Sequence, residues 1–238
     1  MSKILASENK VLRHRVIVRI IHWTIAASVF VLIFSGFGQM PLYKRYLLTD
    51  IWPSTGDYWL LLKMHYVAAV VLTAAACWHA IYHLIRKDFG LLPRRGDFKE
   101  SVAIIKAMLT GKEEPPADKY LAEQRLAYVF IAASLALVII TGLVKTAKNH
   151  GVFIADGIQF AATHLHNLAA VLVVAGIVAH LGAFAIPANR RLLMSMVTGK
   201  VDLEYARHRH SIWFNRLLGR SKARKPGAKT AAKNNRTV

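Results

Sequence analysis

One apolar run, residues 157–186, constrains this chain more than any other stretch of its sequence. The run is almost uncharged and is longer than the ~20 apolar residues that an α-helix needs to cross a bilayer, yet it carries His164, His166 and His180. An α-helix advances about 1.5 Å and 100° per residue, so His166 and His180 lie about 21 Å apart along the axis and about 40° apart around it. The sequence therefore predicts two imidazoles on one face of a membrane helix, near its opposite ends.

Three further runs are long and apolar enough to cross a membrane, and the composition of the whole chain agrees with them. Hydrophobic residues make up 55% of the 238 residues, and the mean hydropathy is +0.33, which is too apolar for an ordinary soluble domain of this size. We predict an all-α fold, an integral membrane bundle of four transmembrane helices. The predicted spans are residues 19–38, 58–85, 126–144 and 157–186.

The basic residues predict how this bundle is oriented. Lys and Arg are concentrated in the N-terminal arm 1–18, in the connection 86–125 and after residue 186, whereas the two opposite loops contain few. By the positive-inside rule, both termini and the connection are expected on the cytoplasmic side of a bacterial inner membrane. Residues 187–218 are predicted as a cytoplasmic helical segment, and 219–238 as a disordered polybasic tail attracted to anionic membrane lipid.

The net charge of +19 does not indicate nucleic-acid binding. A nucleic-acid surface combines a basic stripe or patch with aromatic side chains, whereas the basic residues of this chain flank its apolar runs. Membrane topology explains the charge, so no nucleic-acid partner is expected.

Two connecting segments have patterns of their own. The loop between the first two spans contains Pro41, Pro53 and Gly56 with several aromatic residues, which predicts an ordered outer surface that could receive a partner. The amphipathic stretch 98–109 is predicted to lie on the membrane surface.

The histidines predict haem binding. The fourteen-residue interval of His166 and His180 recurs at His65 and His79 in the second span. A bare imidazole is costly in hydrocarbon, whereas two neutral imidazoles on haem iron give a six-coordinate centre suited to electron transfer. We predict two stacked b-type haems, an outer one between His65 and His166 and an inner one between His180 and either His22 or His79.

Other residues limit the chemistry. Cys77 is the single cysteine, so there is no CxxCH attachment site and any haem is held without a covalent bond. The chain has no cysteine cluster, phosphate loop, nucleophile triad or dinucleotide fingerprint. Its electrons are expected from another subunit or a small diffusible donor, and quinone is the natural acceptor in the bilayer. His208 and His210 lie in a polar stretch and are not expected to bind haem.

The start and the end of the third span carry further signals. Tyr120, Gln124 and Arg125 crowd its start, where polar groups either cap a helix or hydrogen-bond the carbonyl oxygens of a quinone. Near its outer end, Thr141 and Gly142 form a small-residue pair that permits close approach of a neighbour or a cofactor.

Several motifs resemble those of one known family. The chain is similar to the gamma, cytochrome b subunit of respiratory formate dehydrogenases, within a wider group that includes cytochrome b subunits of hydrogenases and thiosulfate reductases. The resemblance covers all four spans and most of the cytoplasmic segments. It rests on RIIHW, KMHYVAA, KYLAEQR, the two histidines of the fourth span and MVTGKVDLEYARHRHSIW.

The resemblance implies four haem ligands, namely His22 and His180 for the inner haem and His65 and His166 for the outer haem. The family has no histidine at the position of His79, so His79 stays an alternative inner ligand or the ligand of a third haem. The family also places a menaquinone beside the inner haem.

That quinone site lies near KYLAEQR, where Gln124 is the best-matched polar residue and Tyr120 and Arg125 are neighbours. Leu121 and Glu123 stand where the family has Asn and Gly, so the geometry and the type of quinone, menaquinone or ubiquinone, can differ.

The same resemblance implies partners. An iron–sulfur (beta) subunit would dock on the outer face, with a periplasmic molybdenum- or tungsten-containing catalytic (alpha) subunit beyond it. The leading hypothesis is a subunit that carries electrons from formate dehydrogenase to quinone. The alternatives are a cytochrome b subunit of a hydrogenase or thiosulfate-type reductase, a stand-alone quinone oxidoreductase, and a structural membrane anchor without haem.

Overall fold

The computed structural model describes residues 3–40, 57–112 and 114–223 of the chain. Within these ranges the fold consists of long helices, short helices and three short strands. The helices are α1 Val16–Gln39, α2 Tyr58–Arg86, α3 Asp97–Thr110, α4 Ala122–Asn149, α5 Asp156–Gly182, α6 Pro187–Leu193, α7 Ser195–Thr198, α8 Leu203–Arg209 and α9 Ser211–Ala223, and the strands are β1 Lys3–Leu5, β2 Lys10–Leu12 and β3 Lys200–Asp202.

Four of the described helices are long and apolar enough to cross a membrane: α1, α2, α4, and α5 with its continuation to Ala185. The predicted all-α class with four spans is therefore confirmed. Helices α1, α2 and α4 extend slightly beyond the predicted bounds, whereas α5 ends at Gly182, and its continuation at Ala185, just before the predicted end at 186. The clearest case is α4, which begins at Ala122 and ends at Asn149 because its terminal turns contain charged residues such as Glu123 and Lys148 that a hydropathy pattern excludes.

Local signals explain where the second span begins and ends. The Asp57 side chain accepts hydrogen bonds from the backbone N–H groups of Trp59 and Leu60, at 2.9 and 3.1 Å, and so caps the start of α2. Lys87 adopts the left-handed conformation, with φ of 49°, and its N–H caps carbonyls of the last turn. This geometry terminates α2 just before the connection to α3.

The spans form two antiparallel hairpins, α1 with α2 and α4 with α5. Val29, Leu72 and Val173 form a buried cluster that joins the two hairpins, surrounded by partly buried aliphatic side chains of α1, α4 and α5. No more than 22% of the most apolar window of any span is buried inside the protein. The remaining apolar surface faces outward, as a lipid-facing surface does.

The segments before α1 and after α5 pack together into one unit, which we call the cap (residues 3–15 and 187–223). Strands β1, β2 and β3 form an antiparallel sheet in which Val11 pairs with Val201. A buried cluster lies beneath it, formed by Val11, Leu192, Val201, Tyr205, Ala206, Trp213, Phe214 and Leu217. The sequence predicted only an arm and a helical segment, because three-residue strands are too short to show an alternating pattern.

The predicted amphipathic stretch 98–109 lies within α3, whose Ile104 packs on Leu121 and Ala122 at the start of α4. Arg125 and Asp97 form an ion pair here at 2.6 Å, with both side chains 3% exposed. On the opposite face Phe98 and other apolar residues are exposed. The helix is thus fixed to α4 by one face while its apolar face is exposed.

Two sequence predictions concern residues outside the described ranges. The outer loop with Pro41, Pro53 and Gly56 lies there, as does 224–238, most of the predicted polybasic tail. The tail was predicted to begin at 219, but α9 continues to Ala223.

Candidate functional site

Four of the predicted histidines form two pairs in the bundle. The ring centres of His65 and His166 are 6.4 Å apart, and those of His22 and His180 are also 6.4 Å apart. A metal lies about 2 Å from an imidazole nitrogen and roughly 3.2 Å from the ring centre, so two rings on opposite sides of one metal have centres roughly 6.4 Å apart. Each pair therefore has the spacing of two axial ligands.

Helix α5 contributes one histidine to each pair, so the pairs lie at two depths. We call His22 and His180 the cap-side pair, because they lie near the cap, and His65 and His166 the far pair. His166 and His180 are separated by about 21 Å along α5, calculated from the helical rise.

His65 of the far pair is hydrogen-bonded to a serine of α1. Its Nδ1 lies 3.0 Å from Ser35 Oγ, and that hydroxyl also lies 2.7 Å from the carbonyl oxygen of Val31. A hydroxyl has one hydrogen, and a carbonyl can only accept, so Ser35 donates to Val31 and accepts from His65 Nδ1–H. This tautomer leaves His65 Nε2 with a free lone pair for a metal.

His166 has the same arrangement with a threonine of α4. Its Nδ1 lies 3.0 Å from Thr141 Oγ1, which donates to the carbonyl oxygen of Leu137 at 2.6 Å. His166 Nδ1–H is therefore the donor to Thr141, and its Nε2 is also free to bind a metal.

A glycine follows each of these hydroxyl residues and lies against the imidazole. A Cβ atom at Gly36 would lie 3.4 Å from His65 Cε1, and one at Gly142 would lie 3.3 Å from His166 Cε1. The close approach expected of the Thr141–Gly142 pair is present. Sequence reasoning missed Ser35–Gly36, which the occurrence of a second small pair near the outer end of a span could have indicated.

The cap-side pair has different surroundings. His22 Nδ1 is buried and has no hydrogen-bond partner in the described part of the chain. The neighbouring Trp23 lies edge-on to the His22 ring and donates from Nε1 to the carbonyl oxygen of Met196, at 3.0 Å. His180 packs against Phe184. The cap thus supports α1 at the level of His22.

His79, the alternative inner ligand, is engaged elsewhere. Its Nε2 lies 3.0 Å from the Tyr128 hydroxyl of α4, and its ring centre is 4.5 Å from that of His83. His83 in turn contacts the carbonyl oxygen of Asp88 through Nδ1, at 2.9 Å. The ring that faces His180 is that of His22.

Comparison with known proteins agrees with this geometry. Residues 13–199 match the family model described as prokaryotic cytochrome b561. The chain belongs to this family. A cytochrome b561 is a b-type haem protein, and the two imidazole pairs are of the kind that hold such a haem without a covalent bond.

This cytochrome b561 is also similar to a named relative. It is 23% identical over 219 residues to a protein of Haemophilus influenzae named "Formate dehydrogenase, cytochrome b556 subunit". The similarity covers 90% of this chain and 87% of the relative.

The three residues predicted to bind quinone differ in how far their polar groups are already engaged in hydrogen bonds within the protein. Gln124 Oε1 accepts from the backbone N–H of Leu121, at 3.2 Å, and so caps the start of α4. Arg125 is buried, donates to both carboxylate oxygens of Asp97 and donates to the carbonyl oxygen of Tyr120, at 2.7 Å. The Tyr120 ring, in contrast, borders a group of basic residues.

Sequence reasoning missed that buried basic group. Arg13 is 4% exposed and lies 5.5 Å from the ring centres of both Tyr120 and Trp213. Its Nη2 donates to the carbonyl oxygen of Lys119, at 2.5 Å, while its Nε and Nη1 have no partner among the described residues. The nearby His14 ring is 6.4 Å from Tyr120, and burial lowers the pKa of His14 to about 2.

His210 completes the group on the cap side. It is fully buried, and its Nδ1–H donates to the carbonyl oxygen of Asp118, at 2.7 Å. Burial and the charge of Arg13 lower the pKa of His210 to about 3, so the imidazole is neutral at pH 7. The run VLRHR before the first span looked like a topological flank, and nothing in its spacing indicated that Arg13 is buried.

Proposed function

We propose that this cytochrome binds two b-type haems and carries electrons across the membrane from a periplasmic iron–sulfur subunit to quinone, as the membrane subunit of a formate dehydrogenase. His65 and His166 hold the outer haem, and His22 and His180 hold the inner haem. The observation that carries this proposal is the pair of 6.4 Å imidazole spacings at two depths of one bundle.

The ligand set determines what the sites can do. A b-type haem with two axial imidazoles supplies reversible one-electron transfer and leaves no open position on the iron for a substrate. His65 and His166 present Nε2, because their Nδ1–H groups are donated to Ser35 and Thr141. His22 is preferred to His79 because its ring faces His180, whereas His79 contacts Tyr128.

The depth of the two pairs suits transfer across a membrane. Their separation of about 21 Å covers most of a hydrocarbon core of ~30 Å. Lys and Arg are abundant in the cap and in 86–125 and scarce at the opposite end, so the cap is assigned to the cytoplasm. The far pair is then nearest the periplasm and receives electrons first.

Quinone is assigned to the cap side of the inner haem, beside Tyr120. Of the three residues predicted for this site, Tyr120 is preferred, since Gln124 caps a helix and Arg125 is held by Asp97. Arg13 offers two donor nitrogens, Nε and Nη1, that have no partner among the described residues, and its guanidinium lies next to the Tyr120 ring. Reduction of one menaquinone or ubiquinone to the quinol would need two electrons, which bound haems would supply, and two protons from the cytoplasmic side.

The donor is assigned from similarity. The Haemophilus influenzae relative is named as a formate dehydrogenase subunit, and the family resemblance favours the same donor. The resemblance also implies an iron–sulfur subunit on the far end and a molybdenum- or tungsten-containing subunit beyond it. A hydrogenase or a thiosulfate-type reductase would use the same arrangement of haems with a different partner.

The test is purification of the tagged chain from its native membrane under mild detergent. We expect two haems b per chain, a co-purifying iron–sulfur subunit, and haem bands that are reduced by formate and reoxidised by a quinone analogue. Reduction by hydrogen but not by formate would replace the assigned donor while leaving the haem sites intact. Absence of haem would contradict the whole proposal.

A further inference from the structure

The two histidine pairs differ in what surrounds Nδ1. In the far pair, both Nδ1 atoms have a hydroxyl partner at 3.0 Å, Ser35 for His65 and Thr141 for His166. In the cap-side pair, His22 Nδ1 is buried without a partner in the described part of the chain. The proposed haem sites therefore share a ligand type and differ in the groups behind the ligands.

The far hydroxyls are fixed as acceptors. Ser35 is fully buried and Thr141 is 4% exposed, and each donates its one hydrogen to a carbonyl of its own helix, Val31 at 2.7 Å and Leu137 at 2.6 Å. A lone pair is thereby held toward each imidazole N–H. A hydroxyl that donates one hydrogen bond is also polarised and becomes a better acceptor for another.

An acceptor behind a metal-bound imidazole has two effects. It fixes the tautomer and the orientation of the ring, and it raises the basicity of the ligating nitrogen. A more basic ligand stabilises ferric iron more than ferrous iron, because the ferric ion carries the larger charge, and so lowers the reduction potential. Gly36 and Gly142 allow the arrangement, since each leaves room for the edge of the imidazole that its neighbour holds.

We propose that Ser35 and Thr141 are positioning residues that hold the axial histidines of the outer haem and lower its potential through their hydrogen bonds to Nδ1. The inner haem lacks this arrangement at His22. The hydroxyls thus favour transfer from the outer centre to the inner one. This inference rests on the proposed function, because it requires a haem at the far pair.

The chain supplies matched controls. Ser28 on α1 and Ser134 on α4 are buried serines whose hydroxyls donate to the carbonyl oxygens of Thr24 and Phe130, each at 2.8 Å. Each lies two helical turns nearer the cap than its counterpart, Ser35 or Thr141. Neither has a histidine among its hydrogen-bond partners in the described part of the chain. Their substitution therefore removes the same kind of backbone bond without touching a ligand.

The experiment is a redox titration of the full chain with optical and EPR detection. Ser35→Ala and Thr141→Val are each expected to shift the outer midpoint potential to a more positive value and to change the outer EPR signal, with the inner haem unchanged. Ser35→Thr and Thr141→Ser should keep the wild-type values, as should Ser28→Ala and Ser134→Ala. Selective loss of the outer haem from Ser35→Ala, restored in Ser35→Thr, would also support the positioning role.

An unchanged outer potential and EPR signal in both Ser35→Ala and Thr141→Val would overturn the inference, as would equal shifts in the two control variants. The two hydroxyls belong to different helices. If one variant does not fold, the other still tests whether a hydroxyl at Nδ1 lowers the outer potential. A wild-type chain without an outer haem would contradict the proposed function itself. A wild-type chain with two haems and unresponsive variants would contradict the role of the hydroxyls alone.

Discussion

The ring centres of His22 and His180 lie 6.4 Å apart, although the two residues belong to the first and last spans of the bundle. Neither helix spacing nor span order requires this pairing. It follows from how the α1–α2 hairpin packs on the α4–α5 hairpin around Val29, Leu72 and Val173. The packing of the two hairpins therefore creates the cap-side site.

This pairing predicts different effects for two histidines at a similar depth. We expect His22→Ala to remove the inner haem, because it deletes the ring that faces His180. His79→Ala should retain both haems, since His79 contacts Tyr128. The measurement is the haem-to-protein ratio together with a redox titration. Retention of the inner haem in His22→Ala and its loss in His79→Ala would reverse the assignment.

The far pair gives a second prediction. His166→Ala should halve the haem content by removing the outer haem while the inner haem keeps its potential, because the two sites lie about 21 Å apart. His164→Ala is the control, since His164 is exposed on the same helix and contacts only Phe160 among ring partners in the described structure. Loss of neither haem from His166→Ala would contradict the assignment.

A third prediction concerns the ion pair that fixes α3 to α4. Asp97→Asn should lower the free energy of unfolding by about 3 kcal/mol, because removal of one partner leaves Arg125 buried without full compensation. Glu100→Gln should cost less than about 1 kcal/mol, since Glu100 is 38% exposed and lies 3.4 Å from Arg125. Thermal unfolding in detergent, followed by circular dichroism, gives both values.

The same pair has a defined dependence on pH. Hydrogen bonds from Arg125 lower the pKa of Asp97, so the stabilisation is present above the unfolded pKa of about 3.9 and is lost as the pH falls through the folded pKa. Between pH 5 and 8 the contribution should therefore be constant. A large pH dependence of the Asp97→Asn effect in this window would contradict the assigned ion pair.

A fourth prediction concerns the cap. The pKa of His210 is lowered to about 3 in the folded protein and is about 6.5 in the unfolded chain. The unfolded chain thus binds more protons between these values, and stability should fall as the pH drops below about 6.5. Hydrogen exchange of the amides in 200–217 should accelerate between pH 7 and 5, after correction for intrinsic rates.

His210→Asn is the matched variant for that measurement, because an amide N–H can replace Nδ1–H toward the Asp118 carbonyl without titrating. The pH dependence should become shallower. It should not vanish, because burial also lowers the pKa of His14, to about 2, and this acts in the same direction. An unaltered slope in His210→Asn would show that His210 does not contribute.

The sequence predicted the spans well because long apolar runs leave few alternatives. It also predicted that His65 and His166 share a depth, since depth follows from helical rise. Residue spacing alone could not decide between His22 and His79. The helical rise gives the depth of a residue, but it does not tell which side chains of neighbouring helices face each other. The family resemblance favoured His22, and the structure places its ring opposite His180.

The cap and the hydroxyls were not predicted, for a different reason. Strand β2 pairs with β3 from the opposite end of the chain, and each strand has three residues. Strands this short do not show the alternation of apolar and polar residues by which a strand is predicted. Ser35 is likewise one of several polar residues in a mostly apolar helix, where serine commonly bonds its own backbone. Only the packing of α2 against α1 reveals its contact with His65.

The most direct test of the account is the number of haems in the purified chain, measured as pyridine haemochrome per polypeptide and resolved by redox titration. The account predicts two haems b with two separate midpoint potentials, each lost selectively when a histidine of its own pair is substituted. A chain that contains one haem, or none after expression with ample haem, would contradict it.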